Sequence, residues 1–226
     1  MSEGDIFREV EADMRREQLA QYWHKYGIYV IAAALLIVFS VGGYQAWTWW
    51  QSSRAASDGA AFVEASALQE QGEPDAAAET FSTLAENGIG SYSALSELRV
   101  AAISAAKGEN EAAVQAYDKV AEATDDAVLA GFARIQAASL LVDTAPPAQI
   151  EQRIGDIGEG SSPWRHSARE LLALSAFRAD QNEKAQTLFQ ELLNDSETPG
   201  PMRQRAEMML SLIDAPAADA ADAPAE

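Results

Sequence analysis

The sequence predicts an all-α protein, with one N-terminal transmembrane helix followed by a helical repeat domain. Four observations carry this prediction. Residues 26–53, 28 in a row, hold no charged side chain. After Arg54 the chain consists of helix formers, alanine foremost, in blocks of about 12 to 18 residues broken by Gly, Pro, Asn and Asp. No stretch there alternates apolar and polar residues as a half-buried strand would. Within the blocks, one pattern of turn, small residue and aromatic returns at a step of 36 residues.

Residues 1–25 form a short polar segment on which Ile6, Phe7, Val10, Met14, Leu19, Tyr22, Trp23 and Tyr26 recur at helical spacing. Asp5 is the expected N-cap. Such a helix could lie on the membrane face, extend the membrane helix into the cytosol, or dock on a membrane partner. Glu9, Glu11, Asp13 and Glu17 weaken any purely electrostatic attraction to anionic lipid.

The span itself follows. Ile28 to Trp50 is 23 residues, roughly 34 Å as a helix, against a hydrocarbon core of about 30 Å. Lipid cannot satisfy free backbone groups, so this segment should be helical throughout. Trp23, Tyr26 and Tyr29 at one end, and Tyr44, Trp47, Trp49 and Trp50 at the other, suit the two lipid–water interfaces. Residues 26–53 are therefore expected to contact the bilayer. Two rivals are weaker. Few soluble core helices stay charge-free for so long. A cleaved signal peptide, ending near Ala55-Ala56-Ser57, conflicts with the acidic leader and the length of the apolar run. Arg8, Arg15, Arg16 and Lys25 precede the span closely, and only Arg54 follows it closely. This bias predicts a cytoplasmic N-terminus and a C-terminal domain across the membrane. In a bacterium that side is the periplasm.

Charge and cysteine content restrict the far domain. Residues 54–226 carry −17 of the net −19. Such a domain repels phosphate backbones, which excludes nucleic acid as a partner, and it is held off anionic membrane surfaces. It also favours solubility. The chain has no cysteine, so neither a disulfide nor a thiolate metal site is available.

The repeats align by their turns. Gly72-Glu73-Pro74 leads into Ala77, Phe81 and Leu84. Gly108-Glu109-Asn110 leads into Ala113, Tyr117 and Val120, and Asp180-Gln181-Asn182 into Ala185, Phe189 and Leu192. Between the last two a copy is degenerate: Ile150, Ile154 and Ile157 keep an apolar face, but Gln149 and Arg153 stand at the small and aromatic positions. Upstream of the turns the same step gives Ala65, Ala101, Ala137 and Ala173. Small residues let paired helices approach, and the aromatic fills the gap toward the next pair. One pair cannot bury its apolar face alone, so pairs must stack. Leu95, Leu98, Ile103, Phe132, Ile135, Leu140, Leu171, Leu174 and Phe177 are expected in the first-helix core. Met202 to Ile213 should form one further helix over the open end of the stack. The domains expected are thus 1–25, a cytoplasmic segment; 26–53, the membrane helix and its flanks; 54–214, the repeats; and 215–226, a disordered acidic tail of Ala, Pro and Asp.

This pattern resembles tetratricopeptide repeats, whose second helix starts near a glycine and carries the Ala-x-x-x-aromatic step. The first-helix Trp-x-x-Leu-Gly-x-x-Tyr signature is absent, and the step is 36 rather than 34. The layout over residues 5 to 213 is similar to that of YfgM-like proteins, ancillary subunits of the bacterial SecYEG translocon. That resemblance implies a protein-interaction scaffold in the bacterial inner membrane, linking SecYEG to periplasmic chaperones such as PpiD. An assembly or regulatory adaptor for cell-envelope or division machinery is the alternative.

Chemistry-bearing constellations are missing, so neither an enzyme, nor a cofactor or metal, nor a small-molecule substrate is expected. His24 and His166 have no second ligand at metal spacing, and His166 reads as an ordinary surface histidine. Gly155 to Gly160 is glycine-rich but acidic, follows a helix and lacks a Lys-Ser or Lys-Thr, and so reads as a loop. Asp125-Asp126 reads as a helix cap. By the tetratricopeptide register, Arg134, Glu170 and Arg178 fall on the concave first-helix face. The arginines, rare positives in an acidic domain, could receive a partner's carboxylates. Alternatively, all three pair with their own neighbours and hold nothing.

Overall fold

A computed structural model describes residues 3–214, and all its described residues in regular structure are helical. The side chains of the expected stripe before Trp23 and the tail 215–226 lie outside the described residues. The chain divides into two units, Met1–Ala56 and Ser57–Glu226. Helix α1, Glu3–Glu70, contributes to both.

In the first unit, Asp5 lies inside α1 rather than capping it. The helix is long and apolar enough to cross a membrane. From Ile28 to Trp50 every described side chain is exposed except Thr48, which is half-buried. Thr48 and Ser52 donate their hydroxyls to the carbonyls of Gln45 (3.0 Å) and Trp49 (2.9 Å). Their polar groups are thus satisfied within the helix. The rings of Trp47 and Trp50 lie 5.5 Å apart. The Arg54 guanidinium stands 5.6 Å from the Trp50 ring, a cation–π geometry at the end of the apolar run.

The second unit begins with the last turns of α1. It continues through α2 (Pro74–Asn87), α3 (Ser91–Ala106), α4 (Asn110–Ala123) and α5 (Ala127–Leu141). Then come α6 (Pro147–Glu159), α7 (Arg165–Arg178), α8 (Asn182–Asn194) and α9 (Gly200–Asp214). From α2 onward, each helix packs on the next, and α7 also touches α5 and α9. The core is a row of clusters, each built from one pair and the first helix of the next. Ala65, Ala77, Phe81 and Ile103 form the first cluster. Leu98, Ala101, Ala113, Tyr117, Val120, Ala133 and Ala137 form the second. The α5–α7 and α7–α9 clusters repeat the plan. Among the described residues, the helix packing joins neighbouring pairs, as in a quasi-one-dimensional stack.

Ala65, Ala101, Ala137 and Ala173 are all fully buried, as are Ala77, Ala113 and Ala185. A larger side chain at any of them would separate a helix pair. Phe81, Tyr117 and Phe189 are buried as expected. Phe62, absent from the expected core, packs edge-on against Phe81 at 5.1 Å and near Tyr92 at 6.0 Å. Leu95, expected inside, is 37% exposed.

The turns agree atom by atom. Gly72 N–H donates to Gln69 O and Glu73 N–H to Leu68 O; Gly108 and Glu109, and Asp180 and Gln181, repeat both bonds one or three units later. This is the Schellman arrangement, whose C′ residue takes a positive φ. Gly72, Gly108 and Asp180 have φ of 83°, 79° and 57°. Asp is among the few non-glycine residues that tolerate this region.

The third pair is formed, but one residue out of step. Its turn closes through Ala145 N–H to Leu141 O (2.8 Å), and Pro146-Pro147 starts α6. The extra residue moves the buried positions from Gln149 and Arg153 to Ile150, Ile154 and Ile157, all buried. Gln149 is exposed. The link between α6 and α7 restores the register, since Ala173 still follows Ala137 by 36. The expected loop from Gly155 is in fact the last part of α6, which runs to Glu159. Gly158 lies where α7 comes close: a Cβ there would meet Leu172 Cδ1 at 3.2 Å. At the end of the stack, α9 buries Met202 and Ala206 against the α7–α8 pair, as expected for a closing helix.

Candidate protein-interaction surfaces

Acidic residues outnumber basic ones in the repeats, so the disposition of the few cations decides which charges remain available. Arg153 pairs with Asp118 across α4 and α6, and Lys184 with Glu151 (2.6 Å) across α6 and α8. Lys119 pairs with Glu97 at 3.0 Å. Lys107 pairs with Asp75. Each bond joins two helices or adjoining turns, so the cations stitch the stack together.

The three residues singled out by register are distributed as follows. Arg134 on α5 donates from Nε to Arg153 O (2.7 Å) and, through both terminal nitrogens, to Asp156 (3.0 and 2.5 Å). That guanidinium holds the Asp156 carboxyl below the usual range. Glu170 on α7 accepts a bidentate pair from Arg205 on α9 (2.6 and 2.9 Å). Arg178 at the end of α7 donates to Ala145 O in the α5–α6 turn. No hydrogen bond or ion pair joins any two of the three. Their intramolecular partners support the reading in which they hold neighbours together.

The densest polar cluster centres on a residue that sequence reasoning left unmarked. Asp195, between α8 and α9, accepts from Glu197 N–H (2.9 Å), His166 Nε2 (2.9 Å), Arg165 Nε (3.3 Å) and Arg169 Nη1 (3.4 Å). The Glu197 amide first, then His166 and Arg165, hold its carboxyl far below the ordinary carboxylate range. His166 is therefore not a surface histidine: it is buried at the first turn of α7. Only the spacing of Arg165, His166 and Arg169 on one helix face could have marked this cluster. Among the described residues, no group of three or more His, Cys, Asp or Glu could hold a metal ion.

Asp126 caps α5 as expected, accepting from Val128 N (2.8 Å) and Leu129 N (3.2 Å). One unit on, Trp164 donates its indole N–H to Val128 O at 2.8 Å. Its ring passes over Gly131, where a Cβ would meet it at 2.8 Å.

Clefts open on the stack, and three are lined as follows. One of about 410 Å³ lies between α4, α5 and α6, and includes Arg134, Arg153 and Asp118. A second, about 360 Å³, lies between α6, α7 and α8, beside Gly155 and Gly158. The third, about 390 Å³, lies where the α2–α3 and α4–α5 links meet, and its lining includes Ala94, Val120 and Leu129.

Stacked helix pairs with open clefts and laced charges define a helical-repeat protein, an architecture generally used to bind other proteins. A family model described as a tetratricopeptide repeat-like domain matches residues 20–197, and the chain belongs to that family. No curated protein and no solved structure matches it.

Proposed function

We propose that the protein is a membrane-anchored interaction scaffold, an ancillary translocon subunit that links SecYEG to periplasmic chaperones. The observation that carries this reading is the combination in one chain of a bare apolar helix and a stacked tetratricopeptide-like domain. In this proposal residues 1–25 are cytoplasmic, 26–53 cross the inner membrane, 54–214 present the repeats in the periplasm, and 215–226 form a tail. The Ala55-Ala56-Ser57 cleavage match lies inside α1, which supports an uncleaved anchor. The protein performs no chemistry of its own and recognises proteins.

The test is mild crosslinking in native membranes followed by purification of the tagged full-length chain. Recovery of translocon subunits with a periplasmic chaperone such as PpiD is expected. Recovery of division or envelope-assembly proteins alone would replace this role with that of an assembly adaptor. Recovery of no partner would end the scaffold reading.

A further inference from the structure

We infer that the cleft where the α2–α3 and α4–α5 links meet docks a basic peptide segment of a partner protein, anchored by an apolar side chain. This inference names the partner chemistry of the proposed scaffold and rests on that reading.

Charge is the first argument. Residues 57–214 hold 26 acidic and 11 basic side chains. The lysines and arginines are engaged within the fold: even Arg99 lies 5.9 Å from the Phe62 ring, and Arg203 donates to Thr198 O at 2.8 Å. The charge left to face a partner is negative, and complementary potentials steer encounter and select partners.

The second argument separates this cleft from the other two. The α4–α6 cleft is lined by two acids and two bases, and the α6–α8 cleft by three acids and two bases, whereas the α3–α5 cleft is lined by three acids and one base. In the α3–α5 cleft, Lys119 is taken by Glu97. Asp125 is exposed and has no partner among the described residues. Asp126, also exposed, caps α5 through Oδ1.

The third argument is apolar surface. Ala94, Val120 and Leu129 line the cleft. Apolar lining with unneutralised acids beside it suits an aliphatic side chain flanked by lysine or arginine.

The test uses the full-length chain in non-ionic detergent and three fluorescein-labelled nonapeptides, alternating Leu/Lys, Leu/Glu and Ser/Lys. Anisotropy should show the Leu/Lys peptide binding and weakening with salt. Asp125→Lys and Ser91→Arg, both exposed cleft residues, should each weaken binding tenfold or more, and Glu159→Lys on α6 should leave it unchanged. Wild-type affinity in Asp125→Lys, or equal affinity for the Leu/Glu or Ser/Lys peptide, overturns the inference. If those peptides show no cleft dependence while membrane crosslinking still recovers translocon subunits, the cleft assignment falls and the scaffold stands. If crosslinking recovers no partner, the scaffold reading itself falls, and the cleft's role with it.

Discussion

His166 Nε2 lies 2.9 Å from Asp195 Oδ2, a hydrogen bond that ties the first turn of α7 to the link before α9. The same carboxylate receives Arg165 and Arg169, so it anchors the closing end of the stack. Asp195 has a depressed pKa in the folded state. Its contribution to stability is therefore full above the unfolded value of about 3.9 and declines as pH falls from there toward the folded value. Asp195→Asn should melt below wild type at pH 7, and the gap should begin to narrow as the pH falls below about 4. Circular-dichroism melts of residues 57–214 from pH 3 to 7 provide the measurement. A gap that stays constant through that range would mean the carboxylate's charge is not what holds the cluster.

The one-residue offset in α6 is tested by two substitutions on one helix. Ile154 is fully buried and Gln149 exposed. Ile154→Ala should cost about 2 to 5 kcal/mol, and Gln149→Ala no more than about 0.5 kcal/mol. In the preceding pair, Tyr117 is buried, so Tyr117→Ala should cost about 3 to 5 kcal/mol. Urea unfolding of the same fragment reads all three. Comparable losses at Gln149 and Ile154 would refute the offset register.

That offset also shows how far the sequence could be read. Ala65, Ala101, Ala137 and Ala173 were legible because pair-to-pair contact admits only a small side chain, and the chain returns to that contact every 36 residues. A fixed step misses an inserted residue, so at the third pair it points to Gln149 and Arg153 while Ile150 and Ile154 fill the core. Gly155 to Gly160, glycine-rich, acidic and following a helix, read as a loop, yet α6 runs on to Glu159, and Gly158 lies where a Cβ would meet Leu172 at 3.2 Å. His166 and Asp195 are 29 residues apart and belong to different helices' ends. Their meeting depends on tertiary packing that no local pattern encodes.

Left-handed turn residues give a third prediction. Gly108 and Asp180 occupy the same turn position with φ of 79° and 57°. Gly108→Ala should destabilise by about 1 to 2 kcal/mol, the cost of a Cβ in this conformation. Asp180→Gly should be neutral or stabilising, because it relieves that cost. Thermal melts decide the matter. A clear loss in Asp180→Gly would mean that its side chain holds the turn.

Orientation is tested by reporter fusion. The excess of arginine and lysine before the span predicts a C-terminus outside the cytoplasm. Alkaline phosphatase fused after Glu226 should be active, and a cytoplasmic reporter at that point should not. The opposite pair of results reverses the topology.

The final prediction concerns Arg134 and Arg178, which the repeat register assigns to partner capture and which the fold gives partners of their own. Arg134 pairs with Asp156, whose side chain is 67% exposed. Pairs so open to solvent contribute only about 0 to 1 kcal/mol, and Arg134→Ala also removes the Nε bond to Arg153 O. Arg178 donates to Ala145 O beside a buried alanine. Its loss leaves that carbonyl short of a donor, at a cost of about 1 to 3 kcal/mol. The double variant Arg134→Ala with Arg178→Ala should therefore melt lower while keeping its helical content. It should also recover the same partners from crosslinked membranes at a temperature where it remains folded. The converse result, unchanged melting with partner recovery lost, would assign the two guanidiniums to capture of a partner's carboxylates rather than to the turn and helix they contact.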